Sequence, residues 1–230
     1  MKGDKQFLPG PQQKPVKTFE GQKDSIVCIA TFPDGKRIAT ASLDKTIRIR
    51  RLEDGAEMMK WVMKQYVFAL VYVDNGKQVV SAEGETPDGF GEDDFDDDDI
   101  DPNEVFDWQL WVRDVESGRV VTGPLEGHTS AVLTLDISPD GKMLASGSLD
   151  RTVILWDTST WQRKGQPILC GSPINCIRFS PTGQLGVATF EDIQIWEYSD
   201  QRKRLAQFKG HYDFNQAVNV GLTWTIDNAK

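Results

Sequence analysis

The 230-residue chain has little of what most catalytic, metal-dependent or membrane chemistry requires. It has two histidines, three cysteines and no Cys-x-x-Cys pair, so it offers no zinc-ligand pattern. The odd cysteine count argues against a disulfide framework and for a reducing, cytoplasmic or nuclear setting. No apolar run opens the chain, so Met1 to Pro15 is not a secretory signal. The longest apolar strand candidate, Val67 to Val73, is far too short to span a bilayer. Lysine and arginine are absent from residues 83–107, which hold thirteen Asp or Glu. The net charge is −9, yet outside that segment 22 acids face 26 bases. The acidity therefore belongs to one stretch. Basic residues elsewhere are scattered, and the cluster Arg202-Lys203-Arg204 opens a strand candidate, where it protects an edge. Nucleic acid, membrane, metal and cofactor are not expected as ligands.

What is present is a repeat. Residues 131–137, 143–148 and 153–157 are short runs rich in Val, Ile, Leu and Thr. They are separated by Ser138-Pro139-Asp140-Gly141 and by a tight turn at Asp150, as consecutive antiparallel strands are. Matching turns are Phe32-Pro33-Asp34-Gly35, Val73-Asp74-Asn75-Gly76, Ser180-Pro181-Thr182-Gly183 and Thr225-Ile226-Asp227-Asn228. Their steps are 41, 65, 42 and 45 residues. In that register Ile26, Val67, Val132 and Ile174 are equivalent, as are Asp44 with Asp150 and Cys28 with Cys176. One such unit has an apolar strip on each face and needs neighbours to bury both.

A period of about 40–45 residues with Gly127-His128 and Trp156-Asp157 as signature resembles the WD40 family, whose propeller blades have four strands each. The resemblance implies an all-β fold: about four antiparallel blades and a terminal fragment, forming a partial β-propeller with an open arc. Residues 1–13 are expected to be a disordered leader and 14–230 the repeat domain. Gly21-Gln22 and Gly171-Ser172 stand where Gly-His is expected, and Arg50 and Arg113 stand where Trp is. The fourth repeat leaves the role of the turn Asp open between Glu191 and Asp192. A fifth begins at Gly210-His211 and reaches Trp224. The chain is expected to be part of a longer protein or to self-associate through open edges.

His128, Ser148, Asp150 and Trp156 look like a catalytic Ser-His-Asp set. The resemblance implies a structural tetrad instead: Asp150 orients His128, His128 bonds Ser148, and Ser148 bonds the Trp156 ring nitrogen. No oxyanion donor pair accompanies the serine, so no enzyme is expected. Arg50 and Arg113 are expected to cost less to replace than Trp156. Leu43 and Leu149 precede the turn aspartates, and the resemblance places them on the partner-binding surface.

The 65-residue step exceeds the period by about 23 residues, and the excess coincides with the acidic stretch. Residues 84–106 therefore read as a disordered loop insertion. Asp94, Asp96 and Asp98 have the 1-3-5 spacing of a calcium loop, but Asp99 stands where Gly is needed and Val105 where Glu is. Phe95 with Asp96, Asp97, Asp98 and Asp99 is the candidate contact for a basic protein. The expected function is a non-catalytic protein-interaction scaffold, with an acidic adaptor or chaperone for a basic partner as the alternative. Replacing 86–104 by a short Gly-Ser link should leave the thermal midpoint within a few degrees, since long loops add little closure entropy. Loss of cooperative unfolding in that variant would show the segment to be built into the sheet.

Overall fold

The hairpins are set by turn chemistry. In Phe32–Gly35 the Gly35 amide donates to the Phe32 carbonyl at 2.9 Å, and the Asp34 carboxylate takes the Lys36 amide at 2.8 Å. Ser138–Gly141 repeats the pattern, with Gly141 to Ser138 at 2.8 Å and the Lys142 amide on Asp140 at 3.1 Å. Gly35 and Gly141 sit at φ 63° and 72°, left-handed values that favour glycine. Such turns return each strand antiparallel to the last.

The computed structural model describes residues 18–85, 108–198 and 203–209. Their strands form four sheets, each a simple up-and-down meander. The first holds β1 (Ile26–Thr31), β2 (Arg37–Ser42), β3 (Thr46–Arg51) and β4 (Glu57–Val62). The second holds β5 (Tyr66–Val73), β6 (Gln78–Gly84), β7 (Gln109–Asp114) and β8 (Val120–Leu125). The third holds β9 (Val132–Ile137), β10 (Met143–Ser148), β11 (Thr152–Asp157) and β12 (Ile168–Leu169). The fourth holds β13 (Ile174–Phe179), β14 (Gln184–Thr189), β15 (Asp192–Glu197) and β16 (Arg204–Lys209). Among the described residues there is no α-helix. The leader, the acidic contact residues Phe95 to Asp99 and the fifth repeat lie outside the described residues.

The core lies between sheets. Ala39, Ala41, Ile47 and Ile49 of the first sheet pack against Val67, Leu70, Tyr72 and Val79 of the second. Val80, Ala82, Leu110 and Val112 meet Val132, Leu135, Ile154 and Trp156. Ala145, Val153 and Leu155 meet Ile174, Ile177, Leu185 and Val187. Strand alternation makes this possible, because successive residues of one strand serve opposite seams. Two hydrogen bonds also cross seams at one repeated place. The Leu70 amide donates to Cys28 Sγ at 3.2 Å, and the Ile177 amide to Thr134 Oγ1 at 3.2 Å. Consecutive sheets stack as blades, and the four form an open arc without a closed sheet.

The insertion leaves the second blade's register intact. Ala82 pairs with Leu110 and Glu83 with Gln109, right up to its root. Gly84, expected in the loop, is the last residue of β6. A Cβ there would fall 2.1 Å from the Trp108 ring, so glycine lets the indole cross the strand end. Trp108 also meets Phe68, ring centroids 5.4 Å apart.

Arg50 and Arg113 do not stand in loose sites. Arg50 is buried and donates to the Glu20 carbonyl at 2.7 Å. Arg113 donates to Glu83 at 2.7 Å, and Ser81 donates to the same oxygen at 2.5 Å. Burial pushes the Glu83 carboxyl up, against the pull of the Arg113 charge and of the Ser81 and Arg113 hydrogen bonds. Removing one partner of a buried pair strands the other, so the expected ranking changes. Trp156→Ala should cost about 3–5 kcal/mol, and Arg113→Met a comparable amount at neutral pH. A carboxyl raised in the folded state holds its proton there while the unfolded chain has released it. Stability of the Arg113→Met variant should therefore fall as pH rises above the ordinary carboxylate range and recover on acidification. Urea titrations across that range check this; a pH-independent deficit would show that Glu83 is not the stranded group.

Candidate protein-interaction face

At one end of the arc, the loops entering the first, third and fourth blades meet the turns between their second and third strands. In the third blade Asp150 joins them. Its carboxylate accepts from His128 Nδ1 at 2.8 Å, the Thr129 amide at 3.0 Å, the Thr152 amide at 2.9 Å and Thr152 Oγ1 at 2.6 Å. Burial alone would raise Asp150, but the hydrogen bond and charge of His128, with those from Thr152 and Thr129, carry it down to about 2. An ionised carboxylate only accepts, so His128 carries its proton on Nδ1. The other ring nitrogen, Nε2, lies 2.8 Å from Ser146 Oγ, which also accepts from Trp156 Nε1 at 2.9 Å.

The serine in this chain is Ser146, not the expected Ser148. Leu144 is directly opposite Trp156 across β10 and β11, so Ser146 is the neighbouring residue on that face. Ser148 lies two positions further along, where β9 and β10 shift register. There it donates to the Ser130 carbonyl at 3.0 Å and accepts the Asp150 amide at 3.0 Å. Ser42 does the same for Asp24 and Asp44 in the first blade, at 3.1 Å each.

The first blade builds the same clamp without histidine. Asp44 takes the Lys23 amide and the Thr46 amide, both at 3.0 Å, and Gln22 donates to Thr40 at 2.9 Å. Arg50 bonds the Glu20 carbonyl, as Arg163 bonds that of Glu126 at 2.7 Å. A Cβ on Gly127 would lie 2.7 Å from the Arg163 guanidinium, the far end of a flexible side chain. In the fourth blade Asp192 has the buried role. It bonds Thr189 Oγ1 at 2.8 Å and Gln194 at 2.9 Å, and it also takes the Gln207 amide, while Glu191 is exposed. Gln194 in turn accepts from Trp196 Nε1 at 3.1 Å.

These clamps fix Leu43 and Leu149, whose amides bond the Ser25 and Ala131 carbonyls at 2.9 Å each. Both side chains are half-buried. Gly84 and Trp108, the two ends of the insertion, stand at the corresponding place in the second blade. Sequence reading missed the Trp108 lid and the Arg163 clasp. Among the described residues no group of three or more His, Cys, Asp or Glu could hold a metal ion. No helix among them is long and apolar enough to cross a membrane.

Four meander blades, stacked through aliphatic seams and clamped by turn aspartates, define a β-propeller of the WD-repeat kind. The chain carries WD40 repeats in two regions: the family described as WD domain, G-beta repeat matches residues 13–50 and 119–157. It is 26% identical over 204 residues to Protein HIR1 of Cryptococcus neoformans var. neoformans serotype D, covering 77% of this chain and 21% of that protein. Over 42 residues it is 60% identical to Protein Mut11 of Chlamydomonas reinhardtii, 18% of this chain and 11% of that one. Over 74 residues it is 39% identical to the Small ribosomal subunit protein RACK1 of Glycine max, 32% and 22% respectively. The chain thus spans about a fifth or less of the length of these relatives. A solved structure described as that of U3-55K shares the fold, with TM-score 0.66 over 85% of this chain and 55% of that one, at 18% identity.

The clamp makes an acid-stability prediction. A carboxylate held at about 2 stabilises the fold fully above the ordinary unfolded value of about 4, and the contribution fades as pH falls toward 2. The stability gap between the wild-type chain and Asp150→Asn should be constant at neutral pH and shrink through that window. A gap that stays level down to the lower limit would show that Asp150 is not held ionised by the clamp.

Proposed function

We propose that this chain is a non-catalytic scaffold for protein partners, with residues 14–230 as its repeat domain and 84–106 as an inserted acidic loop. The supporting observation is the repeated clamp. Asp44 and Asp150 tie separate loops to the sheets in the same way, so one end of the arc presents preset surface. Leu43 and Leu149 give it apolar contact points, and the backbone beneath them is already ordered, which lowers the entropic cost of binding. The insertion springs from that same end. A basic protein is the partner its charge favours; a phosphate backbone would be repelled. The reading as an acidic adaptor rests on this placement. A cytoplasmic or nuclear protein fits the reduced cysteines Cys28, Cys170 and Cys176.

The test compares partners recovered with the tagged chain, with Leu43→Glu plus Leu149→Glu, and with the Gly-Ser replacement of 86–104. The double substitution should lose partners held at both low and high salt. The replacement should lose those that high salt also removes, since exposed charges are screened over about 8 Å at physiological ionic strength. Identical recovery by all three would overturn the assignment of this face.

A further inference from the structure

The hairpin between third and fourth strands turns through a left-handed residue in each of the first three blades. Gly55, Gly118 and Trp161 hold that place, their amides bonded to the carbonyls of Arg51 at 2.9 Å, Asp114 at 2.9 Å and Asp157 at 2.7 Å. Their φ values are 77°, 68° and 57°. Glycine suits such a turn, whereas a bulky side chain there is strained. In the first two blades an aromatic ring from the preceding outer strand lies on the glycine. A Cβ on Gly55 would fall 2.6 Å from Phe19, and one on Gly118 2.7 Å from Trp61. Leu125 has the matching place before the third blade, since Leu125-Glu126-Gly127 repeats Phe19-Glu20-Gly21. There the ring comes from the hairpin instead.

That exchange does not fill the seam. Trp161 packs against the core that contains Leu125, and it also lines a groove of about 590 Å³ with Val73, Asp74, Gln78, Val121 and Thr122. The groove lies at the opposite end of the strands from the clamped loops. Among the described residues, the Asp74 carboxylate, the Gln78 amide, the Thr122 hydroxyl and the Trp161 indole N–H have no hydrogen-bond partner. Asp74 is the one charged residue in the lining. Next to lining residues in the chain stand Lys77 and Lys142, matched by Asp140 and Asp157, so the charge of Asp74 is left over. Arg163 lies over the Trp156 ring at 6.0 Å and Arg204 over Trp196 at 5.8 Å, while among the described residues no cation lies over Trp161.

We propose that this groove takes up an arginine side chain from a basic protein partner, with the guanidinium on the Trp161 indole and its N–H groups on the Asp74 carboxylate. A guanidinium is flat enough to stack on an indole and carries the fork of donors that a carboxylate accepts, which an ammonium does not. Val121, 50% exposed, gives the aliphatic stem a wall. A groove of this size suits one side chain and its flanking backbone. The inference rests on the scaffold reading for the basic character of the partner, and it places a second contact away from the clamped face.

The test is a nuclear magnetic resonance titration of the nitrogen-15-labelled full chain with a capped pentapeptide, one arginine among alanines. The chain has seven tryptophans, and the indole signal missing from Trp161→Phe is that of Trp161. The peptide should move that signal saturably, with a dissociation constant of about 1 mM. The same peptide with citrulline, which keeps the shape and loses the charge, should bind about tenfold more weakly, and so should the arginine peptide to Asp74→Asn. Asparagine tolerates the left-handed backbone of position 74, and circular dichroism establishes that the variant is folded. The citrulline comparison uses the wild-type chain and stands even where a substitution disturbs the turn. A Trp161 signal unmoved well above the expected constant, indole signals that all shift alike, or equal binding of the citrulline peptide overturns the proposal. Such a failure leaves the clamped face untouched, because the titration involves no partner protein and none of the clamped loops.

Discussion

No blade of this protein can bury both of its faces by itself. A four-stranded meander exposes apolar side chains on two sides, and water is excluded only when the next sheet lies on it. Val67 with Leu70, Val132 with Leu135 and Ile174 with Ile177 are the residues through which this demand is met. Two of those strands carry small side chains on the reverse side, Ala69 and Thr134, where the following blade approaches. The order of blades, the position of the loops and the common end from which the clamps are built all follow from that stacking.

The polar clusters beside each blade's third strand are local answers to one problem. Close packing of sheets leaves side-chain donors and acceptors near each blade's third strand, and each must find a partner away from water. The third blade uses Asp150, His128, Ser146 and Trp156. The second uses Glu83, Ser81 and Arg113. The fourth uses Asp192, Gln194 and Trp196. The first uses Gln22 with Thr40, and Arg48 with Glu57. The chemistry differs while the location stays the same, so the location is fixed by the sheet geometry.

The repeat was legible because turns announce themselves locally: Pro-Asp-Gly and its variants fix the period whatever the strands between them contain. The excess in the second repeat was legible as arithmetic on that period. The clamp was only partly so. Ser146 and Ser148 lie on the same face of one strand at similar distance along the chain from His128, and nothing in linear spacing chooses between them. The choice depends on which residue stands opposite Trp156, a cross-strand fact. The roles of Arg50 and Arg113 were hidden for a related reason. Their carboxylate and carbonyl partners, Glu83 and Glu20, lie 30 residues away in the chain. Asp192 over Glu191 was likewise settled by burial, which depends on a neighbouring strand.

Gly84 and Trp108 hold the two ends of the insertion at adjacent places on one blade. The 23 residues between them are therefore a closed tether. Whatever path it takes, its midpoint stays within roughly 40 Å of its root by chain length alone. Any group this stretch captures is held near Leu43 and Leu149 at an effective concentration set by that radius, independent of how dilute the group is in solution. A weak contact along the stretch and a weak contact on the clamped loops would then multiply, and neither would need to be strong.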